Sequence, residues 1–451
     1  MKLTFYGGAE SVTGANYLLQ IGENKILVDC GLHQGSKYAE DLNYQPFGYD
    51  PKSIQHVFIT HSHIDHIGRL PKLYKDGFRG VVHCTHATAD LMAVALPDNM
   101  KQIAREAEEE GHNPLFDEKD LAGLLTLLRP SHYGDRIDIA PDVSAVLHDA
   151  GHVLGSAIVE IQGDGKKIFF SGDLGNPPTP LLRPTEFIHD ADYIVVESAY
   201  GDRVHEDRTT RKERLGKIIT ESLARKGTLM IPSFALERTQ ELLFELNELH
   251  NNKKIPSVPI FIDSPLAIRL TEVYQKHIHD FNPNAIELSR QEDLFSFQGL
   301  HVTLTTEESK RINDVPSPKI IIAGSGMSQG GRILHHERRY LSDPNSTILF
   351  VGYQVDGSLG RKIQKGEKEV MIFREKVTVN CHVESLEGYS AHADQPALLH
   401  WVKEANTNGS LKKVFVVQGE TTSAKTLANL IHDRLDIDAI VPTVGQTVEL
   451  D

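Results

Sequence analysis

The residues best suited to chemistry lie in one short stretch, HSHIDH, at positions 61 to 66, directly after the apolar run HVFIT. On a short loop that leaves a strand, His61 and His63 can point into one pocket while Asp65 and His66 point into an adjacent one. Imidazole nitrogens and carboxylate oxygens are ligands that zinc prefers. The spacing therefore predicts a site for two cations.

Three more residues could join this stretch, because each follows an apolar run of its own. Asp29 lies in KILVDCG, His152 in AGHVLGSA and Asp173 in KIFFSGDLG. A rigid sheet fixes the loops just beyond its strands, so loops from separate strands can bring these side chains together. A metal site is therefore favoured over a loop that only carries surface histidines.

The elements that must position these residues differ between the two halves of the chain. Up to about residue 200, short apolar runs that end in polar residues or glycine indicate strands. Residues 86 to 128 have a helical pattern, with breaks expected near Pro97 and at GHNP, residues 111 to 114. After residue 201 strands and helices alternate, which predicts a second α/β domain with a largely parallel sheet. One more helix and strand follow residue 391.

Composition limits the class of protein. The chain has 451 residues, 40% of them apolar, which is enough for two domains that each have a core. A formal net charge of −15 argues against a surface that is positive throughout. Nucleic acid stays open as a partner, because GGRILHHERRY at residues 330 to 340 concentrates basic side chains.

Cysteine usage and hydropathy indicate where the protein works. The three cysteines, Cys30, Cys84 and Cys381, lie far apart, so they are interpreted as buried apolar residues rather than as a disulfide framework or a thiolate site. The sequence shows neither a secretory signal nor a run long enough to span a membrane. A cytoplasmic protein without a membrane partner is expected.

At these residues the chain resembles the metallo-β-lactamase superfamily, whose fold is a four-layer αββα sandwich with metals at one edge of the sheets. The resemblance implies that the first zinc is bound by His61, His63 and His152, that Asp173 bridges two ions, and that Asp65 and His66 bind the second. Asp29 is similar to the buried aspartate that orients the HSHIDH loop of the superfamily.

Later motifs resemble those of the β-CASP nucleases. They are Glu197 in VESAYG, His392 in YSAHAD and the GE pair in VVQGE. DSPLA, GSGMSQGGR and VGYQVDGSLGRK look like segments of the α/β domain that is inserted in this family. The resemblance implies a metallo-β-lactamase domain made of residues 1–201 and 391–451, with a β-CASP domain inserted at residues 202–390.

Gln418 departs from the pattern. Members that cleave RNA have histidine at this position, where it binds the second zinc, and a glutamine oxygen is a weaker zinc ligand. One zinc is therefore expected to bind tightly and a second more weakly. Three interpretations stay open: a ribonuclease with a weak second zinc, a DNA-directed relative, or an RNA-binding relative with weakened catalysis.

The activity that the resemblance implies is zinc-dependent hydrolysis of phosphodiester bonds in single-stranded RNA. The enzyme would be an endonuclease that could also be a 5′-to-3′ exonuclease. Its products carry 5′-phosphate and 3′-hydroxyl ends. Asp65, His392 and Glu197 are the candidate catalytic residues, with His392 protonating the leaving oxygen and Glu197 holding its ring.

Substrate contacts are expected from the inserted domain, against the metal edge of the other domain. The candidate residues are Ser325, Arg332, Arg361 and Ser390. A homodimer is compatible with the sequence. A thioesterase or a glyoxalase-type hydrolase would share HSHIDH but would lack VESAYG, SAHAD and the insertion.

Overall fold

A computed structural model describes residues 1–355, 357–386 and 388–451. The chain divides into two compact units. The first comprises residues 1–177, 183–204 and 391–451, and the second comprises residues 178–182 and 205–390. The domain limits predicted from the sequence lie after residues 201 and 390.

The first unit contains a pair of sheets, with strands numbered here in chain order. The strands of the first sheet are β1 (Lys2–Gly7), β2 (Asn16–Ile21), β3 (Asn24–Val28), β4 (His56–Phe58), β5 (Val81–Thr85), β6 (Leu128–Ser131) and β22 (Thr447–Glu449), in the spatial order β22-β1-β2-β3-β4-β5-β6. From β3 to β6 the neighbours are parallel, so these strands end at the same edge.

The second sheet of this unit joins distant parts of the chain. Its strands are β7 (Arg136–Ala140), β8 (Val143–Asp149), β9 (Ala157–Gly163), β10 (Lys166–Phe170), β11 (Tyr193–Glu197), β20 (Lys413–Val417) and β21 (Ala439–Ile440), in the order β21-β20-β11-β10-β9-β8-β7. Parallel pairing of β20 with β11 brings the C-terminal stretch into the sheet.

Apolar side chains between the sheets and outside each of them give the predicted four-layer αββα sandwich. Phe5 and Val28 of the first sheet pack with Phe170 and Val195 of the second in one buried core. Helices cover the two outer faces: α2 (Ile64–Ile67), α3 (Leu70–Lys75), α4 (His86–Glu110) and α5 (Glu118–Leu125) pack on the first sheet, and α13 (Gln395–Ala405) and α14 (Thr421–Leu435) pack on the second. The short helix α1 (Lys37–Asp41) follows β3 and has no buried residue. The fold prediction is confirmed.

The second unit has the predicted alternation of strands and helices around a parallel sheet. Its helices are α6 (Arg211–Ala224), α7 (Arg238–Asn251), α8 (Pro265–Lys276), α9 (Pro283–Ser289), α10 (Thr306–Arg311), α11 (Ile333–Tyr340) and α12 (Leu359–Gln364). Its strands are β12 (Thr228–Pro232), β13 (Ile260–Asp263), β14 (Leu300–Val302), β15 (Lys319–Ala323), β16 (Thr347–Phe350), β17 (Glu369–Ile372), β18 (Glu375–Thr378) and β19 (His382–Ser385). The main sheet has the order β14-β13-β15-β12-β16-β19, and β17 and β18 form a separate hairpin.

One expectation about the helices is wrong. The predicted break near Pro97 does not occur, because α4 runs through Pro97 and ends at Glu110, where Gly111 follows in a left-handed conformation with φ of 76°. Proline removes one backbone hydrogen bond, to the carbonyl of Ala93. Ala93 is exposed, so water can satisfy that carbonyl. Among the described residues, no helix is both long enough and apolar enough to cross a membrane.

Candidate metal centre

A group of metal-binding side chains converges where strands β4, β8 and β10 end: His61, His63, His152 and Asp173. His61 Nε2 lies 3.0 Å from His63 Nδ1, which lies 3.3 Å from His152 Nε2. Asp173 Oδ2 lies 3.5 Å from His61 Nε2 and 3.6 Å from His152 Nε2. Four donor atoms thus surround a single point.

These distances fit a tetrahedral cation. Zinc held at its usual distance from nitrogen and oxygen ligands separates neighbouring ligand atoms by about 3.3 Å. Burial lowers the pKa of His61 and of His152 well below the usual value, so both rings are neutral and have a free lone pair. Burial raises the pKa of Asp173, but the adjacent His66 and His392 overcome it and keep this carboxyl ionised.

Local structure explains how HSHIDH presents its side chains in different directions. His63 is the extended residue that precedes the single turn of α2, so Asp65 and His66 lie on that turn and His61 lies before it. The segment after β3 is bonded to the same turn, with Cys30 N donating to His66 O. A side chain at Gly31 would overlap the carbonyl of Asp65, so only glycine permits this approach.

Asp29 lies beneath the loop and is fully buried. Its carboxylate accepts hydrogen bonds of 2.8 Å from Thr60 N, Thr60 Oγ1 and His66 Nδ1. Because a carboxylate only accepts, Nδ1 of His66 carries the proton and Nε2 faces the metal-binding side chains. Asp29 thus contacts Thr60, just before the HSHIDH loop, and His66, at its end. Its role in orienting the loop stays a prediction.

A second group of donors lies beside the first. His66 Nε2 is 3.5 Å from Asp173 Oδ1 and 3.8 Å from Asp65 Oδ2, while Asp173 uses its other oxygen in the first group. Gln418 follows β20 directly, and its Nε2 lies 2.8 Å from His66 Nε2. The structure thus places Gln418 beside the second group of donors, and its role toward a second ion stays a prediction.

His392 and Glu197 form a pair beside the carboxylate of Asp173. Nδ1 of His392 lies 3.2 Å from Glu197 Oε2 and 3.7 Å from Asp173 Oδ2. Glu197 is fully buried and accepts a hydrogen bond from Leu174 N at 2.6 Å. Burial opposes protonation of His392, but Glu197 and Asp173 raise its pKa to about 9. The ring therefore holds a proton near neutral pH and is partly exposed.

The candidate substrate residues lie in the second unit and already have protein contacts. Arg332 donates to Asp263 Oδ1 at 2.8 Å and to the carbonyls of Thr303 and Leu304. Ser325 Oγ accepts from Gln329 N, Arg361 donates to Gln364 Oε1, and Ser390 is buried. Their role in substrate binding stays a prediction.

Sequence reasoning missed several residues that support the centre. Thr60 binds Asp29, Ser156 Oγ accepts from His152 N, and Ser171 Oγ accepts from Glu197 N. Tyr17, the second residue of β2, donates to Gln418 Oε1 at 3.4 Å. Of these residues, only Thr60 could have been identified from the sequence. It is a hydroxyl residue between a buried strand and His61, where its side chain can bond to the loop.

The chain matches three family models in order along its length. Residues 12–203 match the metallo-beta-lactamase superfamily, residues 239–363 the Beta-Casp domain, and residues 376–442 the Zn-dependent metallo-hydrolase RNA specificity domain. A solved structure of a protein of unknown function from Enterococcus faecalis V583 has the same fold, with a TM-score of 0.54, 12% identity and 99% of each chain covered.

Curated relatives match over most of the chain. Ribonuclease TTHA0252 of Thermus thermophilus is 38% identical over 96% of both chains. The RNase J-like protein of Methanocaldococcus jannaschii is 30% identical over 98% of both, and transcription termination factor FttA of Methanosarcina mazei is 31% identical over all of this chain and 72% of its own. The chain therefore belongs to the β-CASP family of the metallo-β-lactamase superfamily, whose members are metal-dependent hydrolases.

Proposed function

We propose that this protein is a zinc-dependent ribonuclease that hydrolyses phosphodiester bonds in single-stranded RNA and leaves 5′-phosphate and 3′-hydroxyl ends. One observation carries the proposal: the tetrahedral donor set and the pair of His392 with Glu197 share the carboxylate of Asp173. A cation site beside a proton donor is the arrangement that phosphodiester hydrolysis needs. The ribonucleases among the relatives support RNA as the substrate.

When bound, the metal would supply positive charge for the phosphoryl oxygens and would lower the pKa of an attacking water. His61, His63, His152 and Asp173 would hold it, and Asp65 and His66 would bind a second ion beside it. The protein itself supplies the remaining chemistry. His392 holds a proton that it can give to the leaving 3′-oxygen, and Glu197 fixes the ring through Nδ1.

A protein that only binds RNA is the weaker alternative. Relatives that have lost catalysis usually lack several of the groups that act on the substrate. Here the ligand set for the first ion and the pair of His392 with Glu197 are assembled together. Gln418 affects the second group of donors alone. A DNA-directed enzyme is likewise not favoured, because relatives named as ribonucleases cover nearly the whole chain.

The direct test is cleavage of end-labelled single-stranded RNA after the protein has been stripped of metal and reloaded with measured amounts of zinc. We expect activity to return with zinc and the products to be substrates for a ligase that requires 5′-phosphate and 3′-hydroxyl ends. Duplex DNA of the same sequence serves as the comparison substrate. Robust DNA cleavage without RNA cleavage would overturn the proposal.

A further inference from the structure

The carboxamide of Gln418 lies between a tyrosine and a histidine. Tyr17 OH donates to its Oε1, and its Nε2 lies 2.8 Å from His66 Nε2. Asp29 accepts the Nδ1 proton of His66, so Nε2 is the ring atom that faces Gln418 and the second group of donors. In this orientation Gln418 turns its amide nitrogen toward the ring atom of His66 that a metal ion would use.

The same amide can turn its oxygen toward the donors. Rotation about its terminal bond exchanges the oxygen and the nitrogen, and the Tyr17 hydroxyl can donate to the one and accept from the other. The backbone of Gln418 is fixed, because its N–H donates to Gly8 O at 2.7 Å and its φ is 46°. Tyr17 is itself buried and packs on Phe170. Rotation of the amide is therefore the change that admits an ion.

The two groups of donors then differ in chemistry. The first offers three imidazole nitrogens and one oxygen, which suits zinc. The second offers oxygens from Asp65, Asp173 and Gln418 with one nitrogen from His66, and oxygen-rich sets suit manganese and magnesium. Histidine at position 418 would bring a second nitrogen to this group and restore a preference for zinc.

We propose that Gln418, positioned by Tyr17, lowers the zinc preference of the second site and makes this a mixed centre, with zinc in the first site and manganese in the second. The inference rests on the proposed nuclease centre, since it assigns the second ion of that centre. Zinc binds most protein sites more tightly than manganese does, so selectivity must come from the ligand set. Gln418 is the residue that alters that set.

The test loads metal-free protein with one equivalent of zinc and then with excess manganese, removes unbound metal, and measures both metals by elemental analysis and bound manganese by electron paramagnetic resonance. We expect about one zinc and one manganese per chain. Gln418→His should shift the ratio of zinc to manganese affinity at the second site toward zinc by about 10- to 100-fold. Tyr17→Phe should keep the first zinc and weaken manganese binding.

The retained first zinc shows that each variant is folded at the centre. Equal zinc preference in the wild type and in Gln418→His would overturn the inference, and so would a wild type that binds no second ion. RNA cleavage with two zinc ions and the same preference in both forms would leave the proposed nuclease standing and remove this inference. The expected metal pattern without RNA cleavage would support this inference and overturn the proposed nuclease.

Discussion

The Nδ1 atom of His392 lies 3.2 Å from Glu197 Oε2, although 195 residues separate the two in sequence. His392→Ala should lower RNA cleavage by about 10²- to 10⁴-fold, because it removes the proton donor. Glu197→Gln should have a smaller effect, because the ring stays but loses its ionised partner. Cleavage rates and zinc content should be measured together, and zinc content should not change.

The double variant shows whether these two residues act as a unit. Glu197→Gln should add little to the loss already caused by His392→Ala, since a positioning residue has nothing left to position. Fully additive losses would mean that Glu197 acts independently of His392, and they would contradict the assignment.

Metal binding depends on the four converging donors. His63→Ala and Asp173→Ala should each lower zinc content and abolish cleavage. The loss of activity should exceed the roughly 10- to 100-fold that follows removal of a residue that only supports a ligand. Asp173→Ala should affect both ions, since its two oxygens face different donor groups. His400→Ala is a matched control in the same unit, because the His400 side chain is 56% exposed. Undiminished zinc in His63→Ala would contradict the ligand assignment.

Recognition of the RNA backbone can be tested by measuring how binding depends on salt concentration. Binding of single-stranded RNA should weaken steeply as salt rises, because each neutralised phosphate releases counterions, with a logarithmic slope of roughly −0.7 per phosphate contact. Fluorescence anisotropy with Asp65→Asn protein, which should cleave poorly, measures the slope without loss of the probe. A flat dependence on salt would mean that the protein does not recognise RNA through its backbone.

Arg332 can be assigned either to the substrate or to the fold. Its partner Asp263 is fully buried and also accepts a hydrogen bond from His336 Nε2 at 2.7 Å. Arg332→Ala should therefore destabilise the second unit by about 1 to 3 kcal/mol, the usual cost of leaving a buried acceptor without its donor. Thermal unfolding measures this cost. Unchanged unfolding together with weaker RNA binding would assign Arg332 to the substrate instead.

His148 gives the first unit a stability that depends on pH. Its ring lies 2.9 Å from Glu160 Oε2 and 3.0 Å from Glu186 Oε1. Burial lowers the pKa of His148, but these hydrogen bonds outweigh it and raise the pKa from 6.5 to about 9. The raised pKa means that the folded state binds the proton more tightly, so the stabilisation is complete below pH 6.5 and is lost as pH rises through 9.

His148→Gln keeps hydrogen-bonding groups but removes the charge. We expect it to lower stability by about 1 to 2 kcal/mol at pH 6, after allowance for solvent screening, and to have little effect at pH 9.5. Thermal unfolding across this range measures the difference. A destabilisation that is the same at both pH values would show that packing, rather than charge, is responsible.

Much of the centre could be predicted because its ligands follow strands. His61, Asp173 and Glu197 stand where apolar runs end, and such runs are visible in sequence. Tyr17 could not be found this way, since it lies inside an ordinary strand and meets Gln418 across 401 residues. The choice of a distant partner is made by tertiary packing, which local patterns do not record.

Tertiary packing also accounts for the other differences between the sequence predictions and the structure. GGRILHHERRY concentrates basic side chains in sequence, yet Arg332 and His336 both bind Asp263, and Arg338 pairs with Glu375. A run of basic residues in sequence does not reveal which carboxylates fold against it. Nor does proline in a helical pattern reveal whether the carbonyl it leaves unbonded lies on the solvent side, as that of Ala93 does.

The path of the chain through the first unit determines when activity can begin during synthesis. Strand β20 enters the second sheet between β11 and β21, and His392 and Gln418 arrive with the same C-terminal stretch. A nascent chain that ends before residue 391 has the three predicted histidine ligands of the first ion but lacks the proposed proton donor and two strands of the second sheet, β20 and β21. We therefore expect the proposed nuclease to stay inactive toward its own messenger RNA until the C-terminal stretch has left the ribosome and folded.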